Sequence, residues 1–365
     1  MLDPSKIRKI AINTGGGDAP GLNAVIRGAT IAALRRGWEV VGIRHGYRGL
    51  LDTSHMMPLT AASVRGITHL GGTILGTANK GNPFEYPVKT DKGVEVTDVS
   101  DKVMENFRLL EIDALICIGG DGSLRIAKKF IDKGMPVVGV PKTIDNDLSG
   151  TVITFGFDTA VNTATDALGK LHTTAESHER VMVVEVMGRY AGWIAMNSGL
   201  AGTADVILLP EIPFDIDKVC AKVRQREASG RHFSIVVCAE GATPKGGTML
   251  TKGPKEAGRE VVLGGIAQWV ADEIAKRTGK ETRSLVLGHL QRGGTPTSFD
   301  RLLGLRFGAA AVRCLAEGKV NVMVALAPPT VKTIPLTEAI ERMNTVPLDC
   351  DSITTARDLG ICLGD

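Results

Sequence analysis

Short apolar runs rich in Val and Ile recur almost from end to end of the chain, separated by longer stretches of helical character. Ile7–Thr14 reads as a first strand, followed by a glycine loop and a helix over about Leu22–Arg36. Val40–Ile43, Ala114–Gly119, Val137–Val140, Val181–Val186, Val206–Leu209, Ile235–Cys238 and Leu285–Leu287 repeat the strand pattern. These runs do not alternate apolar with polar residues, which is how strands buried on both faces look. Helices between such strands form right-handed βαβ units, so the pattern predicts an α/β protein with doubly wound, mainly parallel sheets. Ligands in such folds bind beyond the carboxyl ends of the strands. No repeat, low-complexity segment or linker interrupts the pattern, and Thr243–Arg259, polar and glycine-rich, reads as a surface loop.

Composition narrows the picture. At 365 residues the chain is long enough for two domains or one large α/β unit. It carries 44 Gly but only 4% aromatic residues, which suits tight strand-to-helix turns and not a stacking surface for single-stranded nucleic acid. The formal charge is only +3 and no long Lys/Arg run occurs, so neither nucleic acid nor a membrane surface is expected as a partner. The six cysteines are scattered without a CxxC pair and read as reduced thiols. With no signal-peptide h-region and no apolar run of bilayer length, the expected compartment is the cytoplasm.

Three predicted strand ends carry unusual residues. The first reads Thr14-Gly15-Gly16-Gly17-Asp18-Ala19-Pro20-Gly21 and the second Gly119-Gly120-Asp121-Gly122-Ser123. Glycines ahead of a helix leave main-chain N–H groups open to an anion, although a tight βα turn has the same appearance. Neither loop matches the Walker A or GxGxxG pattern. Asp121 is placed either to hold a Mg²⁺ ion among donor phosphates or to cap its helix. The third segment, Lys142-Thr143-Ile144-Asp145-Asn146-Asp147, sets two carboxylates two residues apart after a buried strand, as a general base with a neighbour or as an Asx-turn cluster. A donor cradle, a metal carboxylate, a base and cationic clamps are what phosphoryl transfer needs.

GGGDAPGLNAVIRG, GGTILGT, GGDGS, PKTIDNDL, EVMGRYAGW and LGHLQRGG occur in this order, and with them the chain resembles the phosphofructokinase family over roughly residues 8 to 320. The resemblance implies phosphoryl transfer to the 1-hydroxyl of fructose 6-phosphate, with Mg²⁺, in the cleft between two domains. A larger donor-binding domain would comprise residues 1–156 plus about 291–340, and a smaller sugar-phosphate domain about 157–290 plus the C-terminal tail. Asp145 would be the base, Thr143 would touch the transferring phosphoryl, Asp147 would support the site and Arg189 would stabilise charge in flight. Gly16, Asn79, Lys80, Gly120, Asp121, Gly122, Ser123 and Lys142 would surround the donor, with Asp121 on the metal. Met187, Gly188 and Glu240 would face the sugar, while Arg180, Arg283, His289 and Arg292 would grip its 6-phosphate. Because Arg180 and Arg283 come from a neighbouring subunit in the family, a homo-oligomer, dimer or tetramer, with shared active sites is expected.

Two positions bear on the donor. GGDGS resembles the ATP-using relatives and Lys142 the pyrophosphate-using ones, and the greater weight falls on Gly122 and ATP. Of the basic effector cluster of the common bacterial enzymes, Arg27 and Arg231 remain, whereas Ile31 and His172 stand where Arg is expected.

Overall fold

The computed structural model describes residues 2–78, 81–91, 93–251 and 263–365. Asn79 and Lys80, both expected at the donor, lie outside the described residues, as does part of the Thr243–Arg259 stretch. The chain divides into two compact units. Unit 1 comprises Met1–Ile144, Leu148–Asp158 and Arg292–Met343; unit 2 comprises Asp145–Asp147, Thr159–Gln291 and Asn344–Asp365.

Unit 1 opens with β1 (Lys9–Thr14), β2 (Glu39–Ile43) and β3 (Met56–Pro58), followed by a separate antiparallel hairpin of β4 (Tyr86–Thr90) and β5 (Gly93–Thr97). It continues with β6 (Ala114–Gly119) and β7 (Val137–Pro141). Unit 2 holds β8 (Val181–Val186), β9 (Val206–Leu208), β10 (Ser234–Ala239) and β11 (Thr282–Val286). The chain then returns to unit 1 for β12 (Val322–Ala327) and β13 (Thr330–Pro335).

The large sheet has the order β13-β12-β7-β6-β1-β2-β3, parallel through its middle and antiparallel only at its two outermost pairs. Successive residues of its central strands enter different cores. Ile10, Ile12, Ile116, Ile118, Val138 and Val140 pack on one face, while Ala11, Leu115, Cys117 and Val137 pack on the other. Both faces are dry, which is why these strands read as continuous apolar runs. The sheet grows from β1 towards β2 in one direction and towards β6 in the other, so β1 and β6 flank a topological switch point.

Unit 2 carries a four-stranded parallel sheet, β11-β8-β10-β9, whose Val181, Val183, Val236 and Cys238 share a core with Val219, Val223, Ile266 and Val270 of the covering helices. The sequence pattern placed a strand at Leu285–Leu287, and β11 instead starts at Thr282. This is an edge strand, exposed along much of its length, so its polar residues conceal it. The hairpin β12–β13 also lies outside the sequence reading: β13 alternates polar with apolar residues as an edge strand can, whereas β12 is an apolar run that the reading passed over. Among the described residues no helix is long and apolar enough to cross a membrane.

Candidate active site

In unit 1, β7, β6 and β1 lie side by side and parallel, so the segments that follow them emerge at one sheet end. Gly15 N donates to Ile118 O at 2.9 Å, joining the first glycine loop to the end of β6. Ser123, nearly buried, wedges between the two loops. A Cβ at Gly15 would lie 2.4 Å from its Oγ, and one at Gly119 only 2.3 Å from its Cβ. Both glycines are thus required by close packing of protein on protein. At Gly122 a Cβ would meet nothing within 4 Å, and the backbone is not left-handed. No packing or conformational reason holds glycine there.

The helix Asp121–Asp132 has Gly120 as its N-cap, so the capping role open to Asp121 is corrected: Asp121 is the first helical residue. Its Oδ2 accepts from Arg125 Nε at 2.8 Å, and the side chain remains 35% exposed. Arg125 is anchored in turn by donating to Ile340 O at 2.6 Å. No group of three or more His, Cys, Asp or Glu side chains suited to a metal occurs among the described residues. A single carboxylate such as that of Asp121 still fits Mg²⁺, which commonly takes one or two carboxylates and completes its shell with phosphate oxygens and water.

Lys142 is only 3% exposed, and its Nζ donates to Gly17 O at 2.6 Å. The same ammonium would stand 3.2 Å from a Cβ at Gly16, where φ is +78°. A buried lysine is therefore committed to the first glycine loop. Next to it, burial pushes the Cys117 thiol up to about 11, leaving it protonated at neutral pH. Thr143 is also buried, with its carbonyl accepting from Thr154 Oγ1 at 2.7 Å. Arg292 Nη1 donates to Asp18 O at 3.2 Å, and its guanidinium crowds Gly17.

The GGTILGT segment is sewn to the same loop. Asn23 Nδ2 donates to Leu70 O at 3.0 Å and Gly72 O at 2.7 Å, while its Oδ1 accepts from Ile74 N at 2.9 Å. Thr14 Oγ1 donates to Gly76 O at 2.7 Å, and Thr77 Oγ1 donates to the Gly16 carbonyl.

Unit 2 has its own assembly at the ends of β8, β10 and β11. Glu240 follows β10, and its N donates to Val186 O at 2.8 Å; Gly241 N donates to Gly188 O at 3.1 Å. Glu240 thereby stands beside Met187-Gly188-Arg189 at the end of β8. The approach is close enough that a Cβ at Gly241 would fall 1.8 Å from Arg189 O. Met187 N donates to Gln291 Oε1 at 3.2 Å, fixing this turn to the 3₁₀ segment Gly288–Arg292, in which His289 is exposed. Arg189 lies with its guanidinium carbon 5.7 Å from the Tyr190 ring centre. At the opposite ends of β8 and β11, Arg180 and Arg283 converge on Glu281 Oε1 at 2.8 and 2.5 Å. The hydrogen bond from Arg180 holds the Glu281 carboxyl below its ordinary range.

The phosphofructokinase family model matches residues 9–315. This chain belongs to the phosphofructokinase family. It is 52% identical to the ATP-dependent 6-phosphofructokinase of Chloroflexus aggregans over 361 residues, 99% of either chain. It is also 51% identical to the pyrophosphate–fructose 6-phosphate 1-phosphotransferase of Amycolatopsis methanolica over 341 residues, covering 93% of this chain and 96% of that one. The phosphofructokinase of Pichia pastoris in the T-state superposes with a TM-score of 0.80 at 30% identity over 97% of this chain. The present chain spans only 36% of that longer yeast chain. A pyrophosphate-dependent phosphofructokinase from Marinobacter aquaeolei shares the fold, with a TM-score of 0.80 at 23% identity over 98% of this chain and 93% of that one.

Within the phosphofructokinase pattern, the described donor-side residues Gly16, Gly120, Asp121, Gly122, Ser123, Lys142 and Thr143 all fall in unit 1. Asp145, Asp147, Arg180, Met187, Gly188, Arg189, Glu240, Arg283 and His289 fall in unit 2. Arg292, grouped by sequence with the sugar-phosphate cations, packs on the first glycine loop of unit 1. At two positions of the expected effector cluster the side chains are engaged within the protein: Arg27 Nη1 donates to Val64 O at 2.7 Å, and His172, where Arg is expected, has a ring nitrogen 2.7 Å from Gly202 O. Sequence reasoning singled out neither Asn23 nor Gln291, although each sits inside a quoted motif. Asn344 and Glu211, which bond to the loops of unit 2, belong to no such motif.

Proposed function

We propose that the protein transfers the terminal phosphoryl group of ATP to the 1-hydroxyl of fructose 6-phosphate, giving fructose 1,6-bisphosphate and ADP. The Asp145 carboxylate takes the proton from the 1-hydroxyl, whose oxygen attacks the terminal phosphorus of the donor as the bond to the leaving diphosphate breaks. Thr143 contacts the moving group and Asp147 supports the base. The planar guanidinium of Arg189 matches the oxygens over which transition-state charge is spread. Met187, Gly188 and Glu240 receive the sugar, and Arg180, Arg283, His289 and Arg292 its 6-phosphate. Gly16, Asn79, Lys80, Gly120, Asp121, Gly122, Ser123 and Lys142 receive the donor, with Asp121 holding Mg²⁺. The ion, when bound, neutralises charge on the donor phosphates. Arg180 and Arg283 are read as serving a neighbouring copy of the chain, in a homo-oligomer with shared sites.

Relatives of both donor types stand at nearly equal identity, so the donor is argued from residues. The observation that carries ATP is the open space at Gly122, where a Cβ would meet nothing within 4 Å and neither packing nor backbone demands glycine; this space is read as room for a nucleotide α-phosphate. Pyrophosphate is the second reading, supported by the buried ammonium of Lys142 on the first glycine loop, where it suits a small dense anion. A coupled assay of the purified protein with fructose 6-phosphate and Mg²⁺, run with each donor in turn, tests both. Fructose 1,6-bisphosphate formed with ATP at the higher kcat/KM supports the reading. Formation only with pyrophosphate favours the alternative, and formation with neither removes the activity.

A further inference from the structure

We propose that Asn344 is a positioning residue that holds the Asp145–Asp147 loop in the geometry for proton abstraction, a role that rests on the phosphotransferase reading above. The loop is a difficult piece of backbone. Asn146, between the two carboxylates, is buried and adopts a left-handed conformation with φ +52°. L-residues visit that region at a cost, so such a turn persists only where its surroundings hold it.

Asn344 grips two consecutive carbonyls of this turn. Its main-chain N donates to Asp147 O at 2.9 Å and its side-chain Nδ2 to Asn146 O at 2.7 Å. The same residue is tied to the turn that carries Arg189. Its carbonyl accepts from Trp193 Nε1 at 2.8 Å, and Trp193 opens a helix four residues after Arg189. Two residues further on, Val346 N donates to Glu211 Oε1 at 2.8 Å, and that oxygen also accepts from Gly192 N at 3.0 Å. One short segment therefore joins the loop of the base to the loop of the charge-stabilising arginine, all within unit 2.

Burial contributes little to placing this segment. Met343 and Leu348 are 42% and 54% exposed, and Val346 is its one buried apolar anchor. Polar bonds set its course, so losing one of them acts on loop geometry more than on the core. The assignment gives this C-terminal segment a task that no motif in the sequence reveals.

Asn344→Ala deletes only the Nδ2 bond and leaves the main-chain donor in place. We expect kcat to fall about 10- to 100-fold, the usual consequence of misplacing a reacting group by about 1 Å. The KM for fructose 6-phosphate should stay within about threefold, because the contact acts on the base and not on ground-state binding. Amide hydrogen exchange of the peptide spanning Thr143–Leu148 should quicken while Tm holds. Asn344→Asp, equal in size but lacking the amide donor, should behave alike, and Leu348→Ala, on the same segment, should match wild type. Wild-type turnover in either Asn344 variant, or a loss that Leu348→Ala shares, overturns the proposal. Wild-type protein inactive on fructose 6-phosphate would overturn the phosphotransferase reading alone. The exchange experiment then decides: faster exchange at Thr143–Leu148 in both Asn344 variants upholds the positioning role, and unchanged exchange rejects it.

Discussion

Around the glycine loops of unit 1 the chain packs side chains against glycine backbone, whereas at the strand ends of unit 2 neighbouring turns meet backbone to backbone, Gly241 against the Arg189 carbonyl. In unit 1, Gly15 and Gly119 admit the side chain of Ser123, and a buried lysine bonds to the carbonyl of Gly17. In unit 2, Glu240 and Arg189 occupy neighbouring turns, and Gln291, Glu211 and Asn344 supply hydrogen bonds to the turns around them. The difference teaches that a glycine in a phosphate loop does not by itself identify a ligand contact. Gly119 and Gly122 lie in the same short motif, yet one is filled by the protein and the other faces open space.

The largest effect that separates the two regions is chemical. Asp145→Asn should lower kcat by about 10²- to 10⁴-fold, the usual contribution of a positioned general base. Tm should hold, and donor binding, assigned under the proposed function to residues of unit 1, should be kept. Steady-state kinetics with calorimetric donor titration checks this, and a folded variant with near-normal kcat removes Asp145 from the role.

Complementation comes next. Mixing Arg283→Ala with Asp145→Asn subunits should recover about a quarter of wild-type activity if both form dimers freely, since half the dimers are hybrids with one intact site each. Recovery of nothing, with hybrids demonstrated, would place Arg283 in its own subunit's site, and full activity of Arg283→Ala alone would place it in none.

The two glycines give the smallest pair of effects and the cleanest contrast. Gly119→Ala forces a Cβ against Ser123 and should cost about 1–3 kcal/mol of stability by overpacking. Gly122→Ala enters open space near a helix N-terminus and should be neutral or stabilising by up to about 1 kcal/mol. Thermal unfolding of both variants decides the matter, and equal losses would erase the distinction between packing glycine and ligand glycine.

How much of this was legible in the sequence follows from the same physics. Strands buried on both faces, such as Ala114–Gly119 and Val137–Pro141, announce themselves as apolar runs, and the residues at their ends stand out against them. Edge strands do not: Thr282–Val286 is half polar, and Thr330–Pro335 alternates. The candidate side chains were legible where they sit inside dense motifs, as Asp121, Lys142 and Arg189 do. Asn344 was not, because its importance arises from bonds to residues about 150 and 200 positions away, to Trp193 and Asn146, which no local pattern encodes. Gly122 was visible as a glycine, but the reason for it needed the empty space around it.

The ratio of kcat/KM for ATP to that for pyrophosphate, measured for wild type and Gly122→Asp, bears most directly on the donor. A carboxylate at position 122 beside the α-phosphate would set like charges about 4 Å apart, a repulsion of roughly 4 kcal/mol at an effective dielectric near 20. That corresponds to about a thousandfold in kcat/KM. Wild type should prefer ATP, and Gly122→Asp should lose that preference about a thousandfold without loss of Tm, because the Cβ it adds meets no protein atom within 4 Å. Wild-type protein that turns over pyrophosphate well and ATP hardly at all, or a Gly122→Asp variant that keeps its ATP preference, would contradict the assignment.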